Sequence, residues 1–383
     1  MKITNSKDLV KVNQILPIMQ EHFEKSMNLA RIKLMALLIH ALCVVQTVSL
    51  HKLAAAMPAD AKRDSNMRRL QRFLSQYALN LDLIARMIFS LLPVRDKLVL
   101  SMDRTNWKFG DFNINILMLG VTYKGIAFPL IFSLMPKRGN SKWTERKELV
   151  ERFGRLFGYD CVDCLVADRE FIGKEWIGWL NSMRIRYYIR IRQNFWIVNP
   201  KSGERIRAWH LFNRVRLGEE LVYDKLYLLN GEYVYLAGAR LKNSRGVPEL
   251  QILVCFNHPQ YAIETYKERW QIETLFRAMK SSGFNIEDTH LRDIERISRL
   301  AAMVCVALVW AYLVGEHKDI NVKKIRMMNH GYRAKSLVKY GLERLLMYLT
   351  DLGETQISMF SNFCHVVNTK ILKNSDVQAL MPN

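Results

Sequence analysis

Two short apolar runs, each followed by an aspartate, constrain the fold of this chain more than any other feature of its sequence. Leu98–Met102 leads into Asp103 in KLVLSMDRTNW, and a second apolar run leads into Asp168 in CVDCLVADREF. Runs of this length and composition predict buried strands. In α/β sheets the carboxyl ends of strands open the ligand crevice, so acidic residues there predict a site. A single aspartate at a strand end, however, often caps a helix or begins a turn.

A third carboxylate falls in a helical pattern that also carries two cations and a phenol. Tyr266, Arg269, Glu273 and Lys280 are spaced i, i+3, i+7 and i+14 in YAIETYKERWQIETLFRAMKSSG. On one continuous α-helix they lie within an arc of roughly 60° and along about 21 Å. Such a stripe suits a metal ligand flanked by phosphate-binding groups, although charged residues are also usual on a solvated helix face. Together with the two aspartates, the glutamate gives three carboxylates on separate elements, enough to hold two divalent cations.

These residues occur in motifs that resemble those of a known enzyme family. DRTNWKFG around the first aspartate, ADREFIG around the second, and the Tyr-x2-Arg-x3-Glu-x6-Lys pattern look like those of bacterial insertion-sequence transposases of the insertion sequence 4 family. These are DDE enzymes, named for their Asp-Asp-Glu triad. The similarity also runs through NINILMLGVTYKGIAFPL and KRGNSKWTER, so that it covers most of residues 95–285.

The resemblance implies a catalytic apparatus and a reaction. The triad is expected to be catalytic and to hold two Mg²⁺ ions, with Mn²⁺ as an expected substitute, at Asp103, Asp168 and Glu273. The other three signature residues are expected to bind DNA on the strand that is not transferred; they are Tyr266, Arg269 and Lys280. The resemblance further implies a hairpin intermediate on the element's end. It also implies a homodimer that brings two ends of double-stranded DNA together.

The charge balance agrees with a polyanionic partner. The 57 basic and 36 acidic residues give a net charge of +21, which favours an attraction to phosphate that weakens as salt rises. A membrane-surface or ribosomal role would give the same balance. No signal peptide is evident in MKITNSKDLVKVNQ, and the longest apolar run, residues 301–315, is too short to span a bilayer and predicts a buried helix. Since the cysteines are scattered in apolar settings, we expect a reduced, cytoplasmic bacterial protein with no membrane partner.

Residues 1–92 show helical periodicity and predict a helical DNA-binding domain. Within it, KRDSNMRRLQRFLSQ carries an apolar stripe beside clustered arginines, with Ser65 or Asn66 as a candidate cap. The candidates for DNA contact are Arg68, Arg69 and Arg72. A solvated amphipathic helix without any DNA role would show the same pattern.

From about residue 96 the pattern becomes α/β, and its element order matches that of ribonuclease H-like domains. We expect a catalytic domain at residues 93–194 and 256–318, interrupted by a β-rich insertion at 195–255. A basic, partly helical C-terminal region at 319–383 would follow. The Asn230-Gly231 dipeptide predicts a hairpin inside the insertion. Strands are predicted at 97–103, 114–123, 127–134, 161–168 and 186–191, and helices at 145–157 and 173–182.

Base stacking is the role for which this sequence departs most from its relatives. In those relatives a tryptophan late in the insertion stacks a base that has left the DNA helix, but residues 241–259 contain no tryptophan here. Trp270 in the signature segment is the nearest candidate, unless it packs the helix, with Trp196 and Trp209 of the insertion as alternatives. Arg104, next to the first aspartate, is expected either to contact phosphate or to pair with an acidic neighbour.

The sequence thus predicts a DDE transposase that cuts the ends of its own element and joins their 3′ ends to target DNA. A metal-dependent nuclease with a ribonuclease H-like fold, but without strand transfer, is the alternative enzyme. A catalytically inactive, transposase-derived regulator that binds DNA is the alternative outside the enzymes. The intact triad argues against the regulator.

Overall fold

A computed structural model describes residues 16–57, 61–243, 245–329, 331–350 and 364–365 of the 383-residue chain. Residues 1–15 of the predicted helical domain, and most of the predicted C-terminal region beyond residue 350, lie outside the described residues. The chain divides into two compact units. The sheet unit comprises residues 94–105 and 115–275, and the helical unit comprises the residues up to 93, residues 106–114 and those from 276 onward.

The described helices and strands give a mixed α/β fold. The strands are β1 (Leu98–Phe109), β2 (Phe112–Tyr123), β3 (Ile126–Met135), β4 (Val162–Ala167), β5 (Tyr187–Ile191), β6 (Trp196–Val198), β7 (Arg205–Arg207), β8 (Glu220–Leu229), β9 (Glu232–Lys242) and β10 (Pro248–Cys255). The α-helices are α1 (Leu29–Val45), α2 (Leu50–Ala56), α3 (Arg63–Gln76), α4 (Leu81–Leu91), α5 (Trp143–Phe157), α6 (Lys174–Ser182), α7 (Ala208–Leu211), α8 (Ala262–Tyr266), α9 (Trp270–Met279), α10 (Ile294–Asn321) and α11 (Leu337–Thr350).

The strands form one ten-stranded sheet with the order β3-β2-β1-β4-β5-β10-β9-β8-β6-β7. β4 pairs in parallel with β1 on one side and with β5 on the other. The remaining strand pairs with a defined register are antiparallel. All five predicted strands and both predicted helices of the α/β region are confirmed, as β1–β5 and as α5 and α6.

The structure places Asp103 differently from the prediction. β1 continues through Asp103 to Phe109, so this residue lies within a strand and not at its end. The parallel register with β4 stops at Met102 opposite Ala167, because β4 ends there, whereas β1 continues beside β2 on its other side. Asp103 therefore lies just beyond the parallel pairing, and Asp168 directly follows β4.

The predicted β-rich insertion continues the main sheet. Its predicted hairpin is confirmed, since β8 and β9 pair through Leu229 and Glu232, and Asn230 and Gly231 have φ of 52° and 90°. β10 then returns beside β5, with Ile252 opposite Ile191. This pairing covers an edge of β5 whose backbone groups would otherwise lack partners.

The predicted buried helix is confirmed as part of α10, which has 28 residues. The side chain of Asp293 caps it by accepting a hydrogen bond from Arg296 N at 2.8 Å. Of the described helices, α10 alone has the length and composition to cross a membrane, but 83% of its apolar stretch is buried inside the protein. α1 and α2 pass the same test only as a pair, and they are bent by 104°. Burial of this kind is typical of a core helix.

α10 and α11 meet at two glycines with their backbones in contact. A Cβ added to Gly315 of α10 would lie 1.9 Å from Leu337 O. A Cβ added to Gly341 of α11 would lie 1.7 Å from Ala311 O. Both obstacles are backbone atoms of a partner helix, which cannot move aside as a side chain can, so this approach requires glycine at both positions.

The arginine-rich helix α3 begins earlier than predicted. Its first residue is Arg63 and its N-cap is Lys62, so the predicted caps at Ser65 and Asn66 are wrong. Asn66 instead lies buried, and its Nδ2 donates to Ala54 O at 3.4 Å. The carbonyl of Ala54 in α2 thus gives the buried amide of Asn66 a hydrogen-bond partner inside the protein. The predicted apolar stripe packs inward through Leu70, Phe73 and Leu74.

Candidate active site

The end of the parallel pairing between β1 and β4 brings two aspartates close together in the sheet unit. Met102 and Ala167 are register partners, so Asp103 and Asp168 are the next residues of neighbouring strands. Both side chains are partly buried. The backbone N–H of Arg104 donates to Oδ1 of Asp103 at 2.7 Å and holds that carboxylate in place.

Asp103 carries negative charge that its surroundings compensate only in part. Its pKa is raised to about 7, chiefly by burial and also by the negative charges of Glu170 and Asp168, while the hydrogen bond from Arg104 N–H and the positive charge of Arg269 act in the opposite direction. A carboxyl in this setting is stabilised by an added cation or by a proton. Shifted carboxyl groups of this kind are frequent at functional sites.

The signature segment faces the two aspartates, but it is not the predicted continuous helix. α8 ends at Tyr266, residues 267–269 form a 3₁₀ turn, and α9 begins at Trp270. A 3₁₀ turn winds at about three residues per turn instead of 3.6. The prediction of one straight stripe is therefore wrong, and Lys280 lies just past the end of α9.

Two residues of this segment contact the aspartates directly, and one of them also contacts the glutamate. The hydroxyl of Tyr266 donates to Oδ1 of Asp168 at 3.5 Å. Nη1 of Arg269 lies 3.5 Å from Oδ2 of Asp103, and its Nη2 donates to Oε1 of Glu273 at 2.7 Å. The guanidinium of Arg269 thus links Asp103 of β1 to Glu273 of α9. The phenol of Tyr266 contacts Asp168, which follows β4.

Arg269 is a buried counter-charge inside the acidic group. Only 8% of its side chain is exposed. Burial lowers its pKa, but Tyr266, Asp168 and Glu273 raise it by more, so the net shift is upward and the guanidinium stays charged. Its centre lies 5.7 Å from the ring of Tyr266 and 5.2 Å from that of Trp270. Burial raises the pKa of Tyr266, so its hydroxyl stays neutral and can donate a hydrogen bond.

The donor atoms at the site show whether its residues could bind the metal that the resemblance implies. Carboxylate oxygens are the ligands that Mg²⁺ prefers, and the incompletely compensated Asp103 fits a site for a cation. Within the described ranges, however, no three acidic, histidine or cysteine side chains are grouped closely enough to hold a metal ion. The carboxylate oxygens are of the kind that Mg²⁺ prefers, but Glu273 is paired with Arg269.

Two residues that the sequence reasoning did not single out hold the loop after β4. Glu170 pairs with Arg104 through contacts of 2.7 and 3.0 Å, so the predicted pairing of Arg104 with an acidic neighbour is confirmed. Arg146 is buried and donates to Ser141 O at 2.7 Å and to Glu170 O at 3.1 Å. The sequence feature that could have identified Glu170 and Arg146 is their position inside the motifs ADREF and KWTER.

The other predicted DNA-binding residues have different settings. Trp270 is 55% exposed, which leaves much of its ring available. Lys280, in the helical unit, donates to Asn106 O at 3.0 Å and pairs with Glu287 at 2.7 Å. On α3, Arg68 and Arg72 are exposed, whereas Arg69 is half-buried and donates to Asn66 Oδ1 at 3.4 Å.

Comparison with known proteins points to one kind of enzyme. Residues 147–310 match the family described as the transposase DDE domain. The matched range includes Asp168 and Glu273, and begins after Asp103. No curated protein matches the chain. The family match supports a DDE transposase, an enzyme type that acts on DNA and generally depends on divalent metal.

Proposed function

We propose that this chain is a DDE transposase that binds the ends of its own insertion sequence, cleaves them and transfers the 3′ ends to target DNA. The observation that carries the proposal is the meeting of Asp103, Asp168 and Glu273 around Arg269 within the sheet unit. The family match supports the same conclusion independently. We further propose a ribonuclease H-like catalytic domain within the insertion sequence 4 family, with the domain bounds predicted above.

The three carboxylates would hold two Mg²⁺ ions, or Mn²⁺ in their place, once Arg269 had released Asp103 and Glu273 and the carboxylates had moved together. Ions in this position supply charge stabilisation for the attacking and leaving oxygens of an in-line phosphoryl transfer. Tyr266 would orient Asp168 through its hydroxyl. The Arg104–Glu170 pair would fix the loop that carries Asp168. These contacts limit the motion of the carboxylates, on which the geometry of such a transfer depends.

Arg269 would exchange its carboxylate contacts for phosphate of the bound DNA. A guanidinium binds carboxylate and phosphate oxygens with the same planar set of donors, so both partners compete for one group. We propose that Tyr266, Arg269 and Lys280 hold the strand that is not transferred. Exposed arginines of α3 would add contacts along the backbone, as the net charge of +21 favours. The active form would be a homodimer in the bacterial cytoplasm, with a hairpin as intermediate.

The decisive test uses DNA that carries the element's inverted repeats, read from the sequence that flanks the gene. The purified chain with Mg²⁺ should cleave these ends and join their 3′ hydroxyls to a second duplex. Cleavage without joining would identify a nuclease instead, and specific binding without cleavage would identify a regulator. Either result would overturn the proposal.

Removal of the signature cations should separate the steps of the reaction. We expect Arg269→Ala and Lys280→Ala to slow hairpin formation more than the first nick, because both are assigned to the strand that is cut later. A strand-labelled end fragment should show nicked DNA accumulating. Equal losses in nicking and in hairpin formation would contradict the assignment of Arg269 and Lys280 to the strand that is not transferred. Lys324→Ala, an exposed lysine of the helical unit, is the control.

Trp270→Ala should slow hairpin formation by about 10-fold while the first nick is spared. A sharp bend at the DNA end is easier when one base leaves the stack, and stacking on an aromatic ring recovers roughly 1–3 kcal/mol. 2-Aminopurine near the end should fluoresce less in this variant than in the parent, because extrusion of the base is lost. Unchanged hairpin rates and fluorescence would leave packing as the role of Trp270.

A further inference from the structure

A tryptophan and two arginines form a compact group at the far edge of the sheet. Trp196 of β6 is the register partner of Arg207 of β7. The guanidinium of Arg207 lies 3.8 Å from the indole centroid, and that of Arg205 lies 4.6 Å from it. The three residues line an open cleft of about 500 Å³ together with His210 and the carboxylate Glu204, which forms no ion pair with either arginine. The indole is 38% exposed, so the group faces solvent.

The two arginines lack the acidic partners that other arginines of the sheet unit have. Arg186 pairs with Asp163 at 2.7 Å, and Arg190 pairs with Glu249. Within the described part of the chain, neither Arg205 nor Arg207 has a carboxylate within ion-pair distance. Contacts of a guanidinium with an indole face restrict its orientation but leave its N–H groups free to donate. Arg207 uses one of them on Asn194 O. The remaining donors are held in place without a protein anion to bind.

The spacing of the two side chains along β7 suits a phosphate backbone. Residues 205 and 207 are two apart on β7, so their side chains leave the same face about 6.6 Å apart. That separation is close to the separation of neighbouring phosphates along one DNA strand. Because arginines already cover the indole, the group is better suited to holding phosphate than to stacking a base. We propose that Trp196, Arg205 and Arg207 form a second DNA-binding site, which holds two successive phosphates of the backbone.

The position of this site determines which part of the DNA it would meet. β7 is six strands from β4 in the sheet order. At about 4.8 Å between strands, the site lies up to roughly 29 Å from Asp168 along the sheet. At about 3.4 Å per base pair, this distance corresponds to at most about eight base pairs on DNA that runs along the strand order of the sheet. The contact would therefore fall inside the bound end, well away from the base next to the cut. Its assignment to DNA rests on the proposed function.

Binding measurements without metal test this site apart from catalysis. A fluorescein-labelled 40-base-pair duplex of arbitrary sequence is titrated with the full chain in EDTA at several salt concentrations. The slope of log Kobs against log salt is negative, and Arg205→Gln/Arg207→Gln should reduce its magnitude by about 1.8. The same variant should weaken binding about 10-fold or more at 0.1 M salt. Trp196→Ala keeps both charges, so it should weaken binding severalfold with a smaller change in slope.

The control is Arg155→Gln/Arg184→Gln, which removes two exposed arginines elsewhere in the sheet unit. Slopes and affinities equal to those of this control would overturn the proposal, and so would a loss seen with RNA duplexes alone. Circular dichroism checks that each variant is folded. Footprinting on a cognate end should show that protection about eight base pairs inside the end is lost. If the parent failed to cleave while the slopes differed as expected, the proposed function would be wrong and the phosphate site would stand.

Discussion

Asp103→Asn, Asp168→Asn and Glu273→Gln should each lower the rate of end cleavage by about 1,000-fold or more, equal to about 4 kcal/mol of transition-state stabilisation. The substitutions keep the size of each side chain but remove a charge that the proposed reaction requires. Binding of the end should stay within about threefold of the parent, because contacts to phosphate dominate affinity. Gel-shift and cleavage assays on one labelled end fragment measure both quantities.

Asp160→Asn is the matched control, since this exposed carboxylate precedes β4 in the same unit. It should leave both binding and cleavage unchanged. Cleavage retained by any one of the three site variants would remove that residue from the proposed triad. A parallel loss of binding and cleavage would indicate that the variant had damaged the fold or the DNA surface.

Gly341→Ala should destabilise the helical unit by about 1–3 kcal/mol, or more if the helices cannot separate. Its added Cβ would lie 1.7 Å from Ala311 O, so the two helix axes must move apart. On a helix without this contact the same substitution would stabilise by up to about 1 kcal/mol, because alanine has the higher helix propensity. The sign of the change therefore tests the backbone contact, and urea or thermal unfolding followed by circular dichroism measures it.

Gly315→Ala should have a similar effect, because it obstructs the same crossing from the other helix. In the double variant the combined loss should be smaller than the sum, since helices separated by one methyl group have room for the second. Gly173→Ala is the control, because its added Cβ would meet no atom within 4 Å. Stabilisation by Gly341→Ala would contradict the observed crossing.

Local patterns in the sequence predicted much of the fold. The apolar runs before Asp103 and Asp168 predicted β1 and β4, because strand burial is recorded in consecutive residues. Asn230-Gly231 predicted its hairpin because those two residues favour positive φ. The pairing of β10 with β5 was not predicted, since it joins segments far apart in sequence. Strand order depends on such distant partners, which periodicity does not specify.

The candidate site was predicted in composition but not in its internal contacts. The spacing of Tyr266, Arg269 and Glu273 placed them near one another on any helix. The 3₁₀ turn changed the directions in which these side chains point, because it winds at about three residues per turn instead of 3.6. The pairing of Arg269 with Asp103 and Glu273 is a matter of side-chain geometry between two elements. No local pattern distinguishes such a contact from a solvated arginine.

The pairing of Arg269 with two carboxylates separates folding from ion binding. In many small metal-binding domains the metal supplies the charge that the buried ligand groups lack, and the chain without metal is unfolded. Here Arg269 supplies part of the neutralising charge from the chain itself and reaches the site as the sheet unit forms. Newly made protein can thus complete this part of its core before it meets divalent ions or DNA, and chelation alone gives no reason for the unit to unfold.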